Sequence, residues 1–323
     1  MNPLRRAKAA FDLIDWNRFR FWFQLSSFVL LVYGGYLGIE VGKSLPTFSC
    51  IYNTEARGGA CYLSVLQHQM AWPWQRLFSA AALAILTGFL TFAAWFLVLN
   101  KFWCGMICPL GTIQDWVTAL RKRLGVRYGK YTLGQFRALA QIKYILLALM
   151  FLIPLGIGAG WFSKDMGLPF CMICPARMVI PLFDLNTTHW MVDFSTTSKL
   201  VLTSLGIVIV GIFFVGAFVK KRFFCFFCPM SAFLYLISKP ALLTLQKDGD
   251  KCTRCGDCYR VCDLEIKEIA DEIGKPAIMT DDCTLCLKCV ASCPEPGALK
   301  ANFAGVTFFE STEAGFIKRM RKD

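Results

Sequence analysis

The sequence predicts an all-α membrane domain of four transmembrane helices, arranged as two pseudo-repeated helix pairs. A small cysteine-rich α+β domain follows it. Three observations predict this. Four apolar stretches are each long enough to cross a bilayer. Lysine and arginine gather in alternate connections between them. Eight cysteines near the C-terminus fall into two nearly identical runs.

The chain has 323 residues, of which 56% are hydrophobic and 18% charged. A soluble domain carries about 25% charged residues. The deficit lies in the first 220 residues, where the apolar stretches occur: roughly Phe21–Gly42, Phe78–Leu99, Ile142–Gly160 and Leu200–Val219. A spanning helix needs about 20 mostly apolar residues, and these stretches are apolar on all faces, unlike an amphipathic core helix.

The net charge of +13 does not point to nucleic acid, because the cations lie beside the apolar stretches. Arg5, Arg6, Lys8, Arg18 and Arg20 precede the first span. Lys101, Arg121, Lys122, Arg123, Arg127, Lys130, Arg137 and Lys143 follow the second, and Lys220, Lys221 and Arg222 follow the fourth. The other two connections hold only Lys43, Arg57 and Arg76, and Lys164, Arg177 and Lys199. By the positive-inside rule, the N-terminus, the second connection and the C-terminal domain face the cytoplasm, as in a multi-pass protein of the bacterial inner membrane. Trp72, Trp74, Trp161 and Trp190 then mark the outer interface. No signal-peptide cleavage pattern is present, so the first apolar stretch is expected to remain as an anchor.

The cysteine runs are Cys252-x2-Cys255-x2-Cys258-x3-Cys262 and Cys283-x2-Cys286-x2-Cys289-x3-Cys293, the second followed by Pro294. Each matches the bacterial ferredoxin run, in which the fourth cysteine serves the other cubane. One [4Fe-4S] cluster is therefore assigned to Cys252, Cys255, Cys258 and Cys293, and the other to Cys283, Cys286, Cys289 and Cys262. Zinc would ask for isolated C-x2-C pairs instead. Asp263 stands where the pattern's proline would be, loosening the turn after Cys262 without removing a ligand. The domain limits read as a basic segment 1–20, a membrane domain 21–230, a connecting helix 231–249, the two-cluster domain 250–300 and a solvated tail 301–323.

Eight further cysteines sort by side. Cys104-x3-Cys108-Pro109 and Cys225-x2-Cys228-Pro229 fall on the inner side; Cys50, Cys61 and Cys171-x2-Cys174-Pro175 fall on the outer side. Each half of the chain reads span, outer pair, span, inner pair. Two packed halves would bring four thiolates to each face, the ligand set of a cubane. The inner quartet otherwise reads as buried free cysteines. The outer quartet reads equally as a Cys50–Cys61 disulfide, contributing roughly 2–4 kcal/mol, beside a Cys171–Cys174 redox pair. One or two clusters beyond the first pair are thus expected.

The motifs WCGMICPLGTIQD (103–115), FCFFCPM (224–230), CTRCGDCYRVC (252–262) and CTLCLKCVASCP (283–294) resemble those of the NapH/MauN-type membrane ferredoxins over nearly the whole chain. FCMICPA (170–176) is not part of that pattern. The resemblance implies quinol oxidation, with electrons passed to partner redox subunits such as other iron–sulfur proteins or cytochromes. An assembly or regulatory factor delivering electrons to another metalloenzyme is the alternative.

The chain has only two histidines, too few for the axial ligands of a di-haem cytochrome. His68, beside the membrane boundary, is a candidate contact for a quinone oxygen, against a plain structural role. His189 is a weaker one. Asp12, Asp15 and Asp115, near the inner face, offer another proton route, against the reading as solvated surface charges. Trp103, Phe223, Phe224, Phe226 and Phe227 would shield the inner cysteines from water, or equally serve as interfacial aromatics. No G-x-G-x-x-G follows a strand, so nicotinamide or flavin chemistry would belong to a partner.

Overall fold

The computed structural model describes residues 14–39, 61–73, 75, 81–127, 129, 132–166 and 168–320. Cys50, Asp12 and Trp74 lie outside them. The helices are α1 (Trp16–Tyr33), α2 (Tyr62–Met70), α3 (Ala81–Leu99), α4 (Phe102–Met106), α5 (Pro109–Arg123), α6 (Leu133–Gly158), α7 (Pro169–Ile173), α8 (Pro175–Leu182), α9 (Thr197–Val219) and α10 (Pro229–Leu236). After them come β1 (Leu243–Lys247), α11 (Asp257–Arg260), α12 (Glu268–Asp271), α13 (Lys288–Ala291), β2 (Leu299–Phe303), β3 (Val306–Glu310) and α14 (Glu313–Met320).

Among the described residues, three helical segments are long and apolar enough to cross a membrane: Ala82–Leu99, Gly134–Gly158 and Thr197–Val219. Their outward side chains are apolar, with Leu83, Leu152 and Val215 each more than three-fifths exposed, as a lipid-facing surface requires. The expected first span is not among them. α1 carries Arg18 and Arg20 in its first two turns, and the chain leaves the helix at Tyr33, turning at Gly38 with φ 74°. α6 begins well before the expected Ile142. A capping box starts it: Thr132 Oγ1 accepts from Gln135 N–H, and Gln135 Oε1 accepts from Thr132 N–H.

The chain divides into two compact units. One comprises Met1–Gln24, Trp95–Met106 and Leu234–Asp323; the other comprises Leu25–Ala94 and Ile107–Phe233.

The larger unit is organised around α9, which packs against α5, α7 and α8, while α2 packs against α6. Phe28, Val32, Leu110, Ile113, Val179, Ile180, Val210 and Phe213 form its buried core. Arg121 is wholly buried and donates from Nη1 to the carbonyls of Phe218 (2.9 Å) and Val219 (3.1 Å). It thereby satisfies the last carbonyls of α9, which have no partner within the helix. Gly206 lies near the middle of α9. A Cβ there would stand 2.6 Å from the Met172 carbonyl oxygen and 3.6 Å from Ile173 Cα. The loop carrying Cys171 and Cys174 therefore folds back against mid-helix instead of remaining at the start of α9. Nine residues at 1.5 Å each put Gly206 about 14 Å along the axis from Thr197.

In the smaller unit, the strands form an antiparallel sheet of order β1-β2-β3. Leu243 faces Phe303 and Lys247 faces Leu299, and a bulge interrupts β2 between Ala301 and Asn302. Two of these strands run past residue 300, so the segment expected as a solvated tail completes the sheet and then forms α14. Its physical basis is burial: Ala301, Asn302 and Phe309 are all buried. The apolar stretch expected as a connecting helix contributes α10 and then β1.

Several cations counted toward orientation are buried instead of facing water: Lys101, Arg121, Lys143 and Arg222. Lys101 Nζ donates to the Asp281 carbonyl, and Arg222 pairs with Asp115.

Candidate iron–sulfur centres

Two cavities lie in the smaller unit. Cys252, Cys255, Cys258 and Cys293 line one. Cys262, Cys283, Cys286 and Cys289 line the other. The structure thus brings together the same fours that the spacing pairs. The two loops share one backbone design. Arg254 (φ 56°) and Gly256 (φ 78°) are left-handed in the first; Leu285 (φ 50°) and Leu287 (φ 57°) occupy the same positions in the second. Left-handed residues two and four places after the first cysteine curl each loop around its cavity. A non-glycine there costs roughly 1–2 kcal/mol, which the surrounding contacts must offset.

The donor set fits a cubane. Each cavity offers four sulfurs, and burial pushes the Cys258 and Cys283 thiols up to about 11. Such buried thiols would ligate as thiolates only with the positive charge that bound iron would supply. Backbone N–H groups of Leu264 and Ile266 are directed at Cys262 sulfur. A cubane spreads its thiolates over four irons.

The second loop is pinned from outside. Trp16 Nε1 donates to the Cys286 carbonyl at 2.9 Å, and the Trp16 ring stacks on Phe309 at 4.6 Å. Gly105 packs its backbone onto the loop: a Cβ there would meet the Thr284 carbonyl and stand 2.9 Å from Cys286 N. Arg20 Nε and Gln24 Nε2 both donate to the Gly105 carbonyl, at 3.3 and 3.2 Å. Asp263 is buried between Lys288 (2.5 Å) and Arg20 (3.6 Å). The residue that departs from the ferredoxin proline therefore anchors two cations, which a proline could not do. Cys104 belongs to this same unit, on α4 beside Gly105.

In the larger unit, cysteine–proline pairs start helices. Cys108 caps α5 and Cys174 caps α8, each with proline in the first turn; Pro229 opens α10. Proline suits that position because its missing N–H needs no partner there. Cys61 caps α2. Two cysteine groups then share one geometry. Gln114 lies six residues after Cys108, donates Nε2 to the Leu110 carbonyl (3.3 Å) and points it at Cys225 Sγ (3.9 Å). Gln67 lies six residues after Cys61, donates Nε2 to the Leu63 carbonyl (3.2 Å) and points it at Cys171 Sγ (3.7 Å). In both cases the accepting sulfur is the first cysteine of a C-x2-C-P motif. Sequence reading missed both glutamines. The signal was present as Cys-x-Leu-x3-Gln, repeated at 61–67 and 108–114.

The two groups are near one another. Cys108 lies within electrostatic range of Cys61, Cys171 of Cys61 and Cys174, and Cys225 of Cys108. An apolar cavity of about 270 Å³ is lined by Cys174 and Pro175, by Ile209, Ile212 and Phe213 of α9, and by Phe223, Phe224, Phe227 and Pro229 around the Cys225–Cys228 loop. Among the described residues, no disulfide joins any cysteines. Cys50, the other half of the expected Cys50–Cys61 bridge, lies outside the described residues.

The polar candidates fall elsewhere. His68 is exposed in the last turn of α2, edge-on to Trp72 at 6.1 Å, and does not line the apolar cavity. His189 Nδ1 accepts from Arg177 Nε at 3.4 Å; burial and that arginine hold the imidazole below its usual value. Asp115 is not a solvated charge. Arg222 Nε and Nη2 donate to its two oxygens at 3.1 and 2.8 Å, and Arg222 is only 1% exposed. Asp15 pairs with Arg18 at the start of α1.

Residues 81–127 and 202–245 match a family described as a 4Fe-4S binding domain, and residues 244–294 match a 4Fe-4S dicluster domain. The ferredoxin-type protein NapH of Haemophilus influenzae is 25% identical over 292 residues, covering 86% of this chain and 88% of that protein. YccM of Escherichia coli, named for electron transport, is 24% identical over 220 residues. The match takes in 68% of this chain but only 55% of YccM, so the chain spans about half the length of that relative. The regulatory protein NosR of Pseudomonas aeruginosa is 27% identical over 217 residues, 67% of this chain and 27% of NosR. No solved structure matches.

Proposed function

We propose that this chain, a NapH-like iron–sulfur protein of the membrane, exchanges electrons between the quinone pool and partner redox proteins. The observation that carries the reading is the seating of Gly105 against Cys286. It puts a segment that follows an apolar helix, and holds Cys104, in direct contact with a four-cysteine cavity. Iron–sulfur clusters supply one-electron transfer when bound.

The chain's own residues set the conditions for it. Cys252, Cys255, Cys258 and Cys293 would hold one cubane; Cys262, Cys283, Cys286 and Cys289 would hold a second. Cys104, Cys108, Cys225 and Cys228 would hold a third. Buried N–H donors toward sulfur raise a cluster's potential, and aromatic packing keeps water away. The apolar cavity beside Cys174 suits an isoprenoid tail and a quinone ring in a dry setting. His68, outside that lining, is retained as a residue that meets the quinone as it arrives from the outer side. In this reading α1 completes a set of four spans in two related pairs. Both termini lie in the cytoplasm of a bacterial inner membrane, and the partners are other iron–sulfur or cytochrome subunits.

The test is quinol-dependent reduction of the clusters in lipid-reconstituted protein, with His68→Ala beside the wild type. Reduction by quinol supports the reading, and loss of it in the variant supports the histidine's role. Clusters that respond to a cytoplasmic donor but never to quinol would favour a second reading. The likeness to the regulatory protein NosR supports that alternative: delivery of electrons for control or maturation of another metalloenzyme.

A further inference from the structure

We propose that Cys61, Cys171 and Cys174 ligate an additional iron–sulfur cluster, set against the middle of α9. Neither matched family segment, 81–127 and 202–245 or 244–294, includes any of these three residues.

The argument begins with duplication. Cys108, Gln114 and the Cys225–Cys228 loop form one arrangement; Cys61, Gln67 and the Cys171–Cys174 loop form another with the same parts at the same spacing. In each, a cysteine caps a helix, and a glutamine six residues on bonds back to a leucine carbonyl. Its amide N–H then reaches the first sulfur of a C-x2-C-P motif. Given the third cluster proposed above at Cys108 and Cys225, on which this rests, a chain that builds one such arrangement around a cluster has the same parts in place for another.

The second argument is the cost of Gln67. It is 2% exposed, and its Nε2 is turned on Cys171 Sγ at 3.7 Å. A neutral thiol is a weak acceptor and would poorly offset an amide buried this way. A metal-bound thiolate carries charge and accepts strongly. Ser64 also hydrogen-bonds Cys171. Two donors converging on one sulfur are what a cluster ligand uses.

The third argument is depth. The Cys171–Cys174 loop lies against Gly206, near mid-helix of α9, and the Phe223–Phe227 loop follows the helix's far end. Phe223 packs back on Gly216, which lies about 15 Å along the axis from Gly206. A single passage across a hydrocarbon core about 30 Å thick would be divided by a centre at this position. The apolar cavity, which touches both loops, lies in that interval.

The inference is tested on the full chain purified without oxygen in lipid. Cys171→Ser combined with Cys174→Ser is expected to lower iron and acid-labile sulfide by about four each per chain, leaving the ferredoxin-type paramagnetic signals intact. Unchanged iron and sulfide would overturn the proposal, as would zinc in place of the iron or a Cys171–Cys174 disulfide in the wild type. Gln67→Leu guards against a variant that does not fold. It should keep its iron yet move the midpoint of one signal to lower potential, because a donor to sulfur stabilises the reduced, more negative state. No shifted signal would also count against the site. Quinol is absent from these measurements, so a negative result here leaves the quinone reading to its own test.

Discussion

Trp16 donates its indole N–H to the main-chain carbonyl of Cys286 at 2.9 Å, joining residues 270 positions apart. The bond ties the first described helix to the loop that cradles the second four-cysteine cavity. Stacking on Phe309 buries the rest of the ring. Trp16→Ala removes both contacts and a large buried side chain. Such truncations cost about 3–5 kcal/mol. Thermal unfolding followed at the cluster absorbance should move to markedly lower temperature, whereas Trp16→Phe should retain most of the packing and lose less.

Gly105 of α4 packs its backbone against that loop. Gly105→Ala would force the Cys286 backbone away, because the new Cβ would stand 2.9 Å from its nitrogen and 3.0 Å from its Cα. Overpacking of this kind costs about 1–3 kcal/mol. The expected result is faster loss of iron from one of the two ferredoxin-type clusters under a chelator, with the other unaffected. Equal loss rates in variant and wild type would contradict it.

Asp115 and Arg222 form a two-pronged pair with Arg222 almost wholly buried. Removing one partner strands the other charge. Asp115→Asn should therefore destabilise the larger unit by about 3 kcal/mol, read as a lower midpoint in thermal denaturation. Asp12→Asn, outside the described residues, is expected to change nothing if it is the surface charge its sequence context suggests.

Gln114 gives a second point of attack on redox chemistry. Its Nε2 faces Cys225 Sγ, and its Oε1 accepts from Phe224 N–H at 2.9 Å. Gln114→Leu withdraws a donor from sulfur and frees the loop. The midpoint potential of the centre at Cys225 should fall, as redox titration monitored by paramagnetic resonance would show. An unchanged set of midpoints would mean that Cys225 binds no cluster.

His189 supplies a pH dependence. Burial and Arg177 hold its folded-state pKa below the usual 6.5, so folding favours the neutral ring. A group depressed in this direction contributes stability above the unfolded value, and that contribution is lost as pH falls through the folded one. Stability should therefore decline on acidification below about pH 6.5. His189→Gln should flatten that part of the profile.

How much of this was legible beforehand depended on range. Cysteine spacing is a local property, and it named the two ferredoxin fours because a C-x2-C-x2-C loop can curl in only a few ways. Apolar length named three of the helices for the same reason: lipid reads composition directly. Chain direction at the Cys-Pro pairs was also local, since proline starts a helix and cannot continue one backwards. What local reading could not show was which charges are buried: Lys101, Arg121 and Arg222, counted toward the cytoplasmic face by the positive-inside rule, are each buried on a carbonyl or carboxylate partner. Asp263 looked like a missing proline and proved to be an anchor for Arg20 and Lys288.

By itself, then, the sequence determined which cysteines could act together in the C-terminal domain and which segments are fit for lipid. Only the tertiary structure decided that the Cys171–Cys174 loop folds back to the middle of α9, that Gln67 and Gln114 stand over equivalent sulfurs, and that Trp16 and Gly105 grip the Cys286 loop. The physical reason is that each of these rests on a contact between residues far apart in the chain. Such contacts depend on which carbonyl, ring or glycine face is left open after the helices have packed.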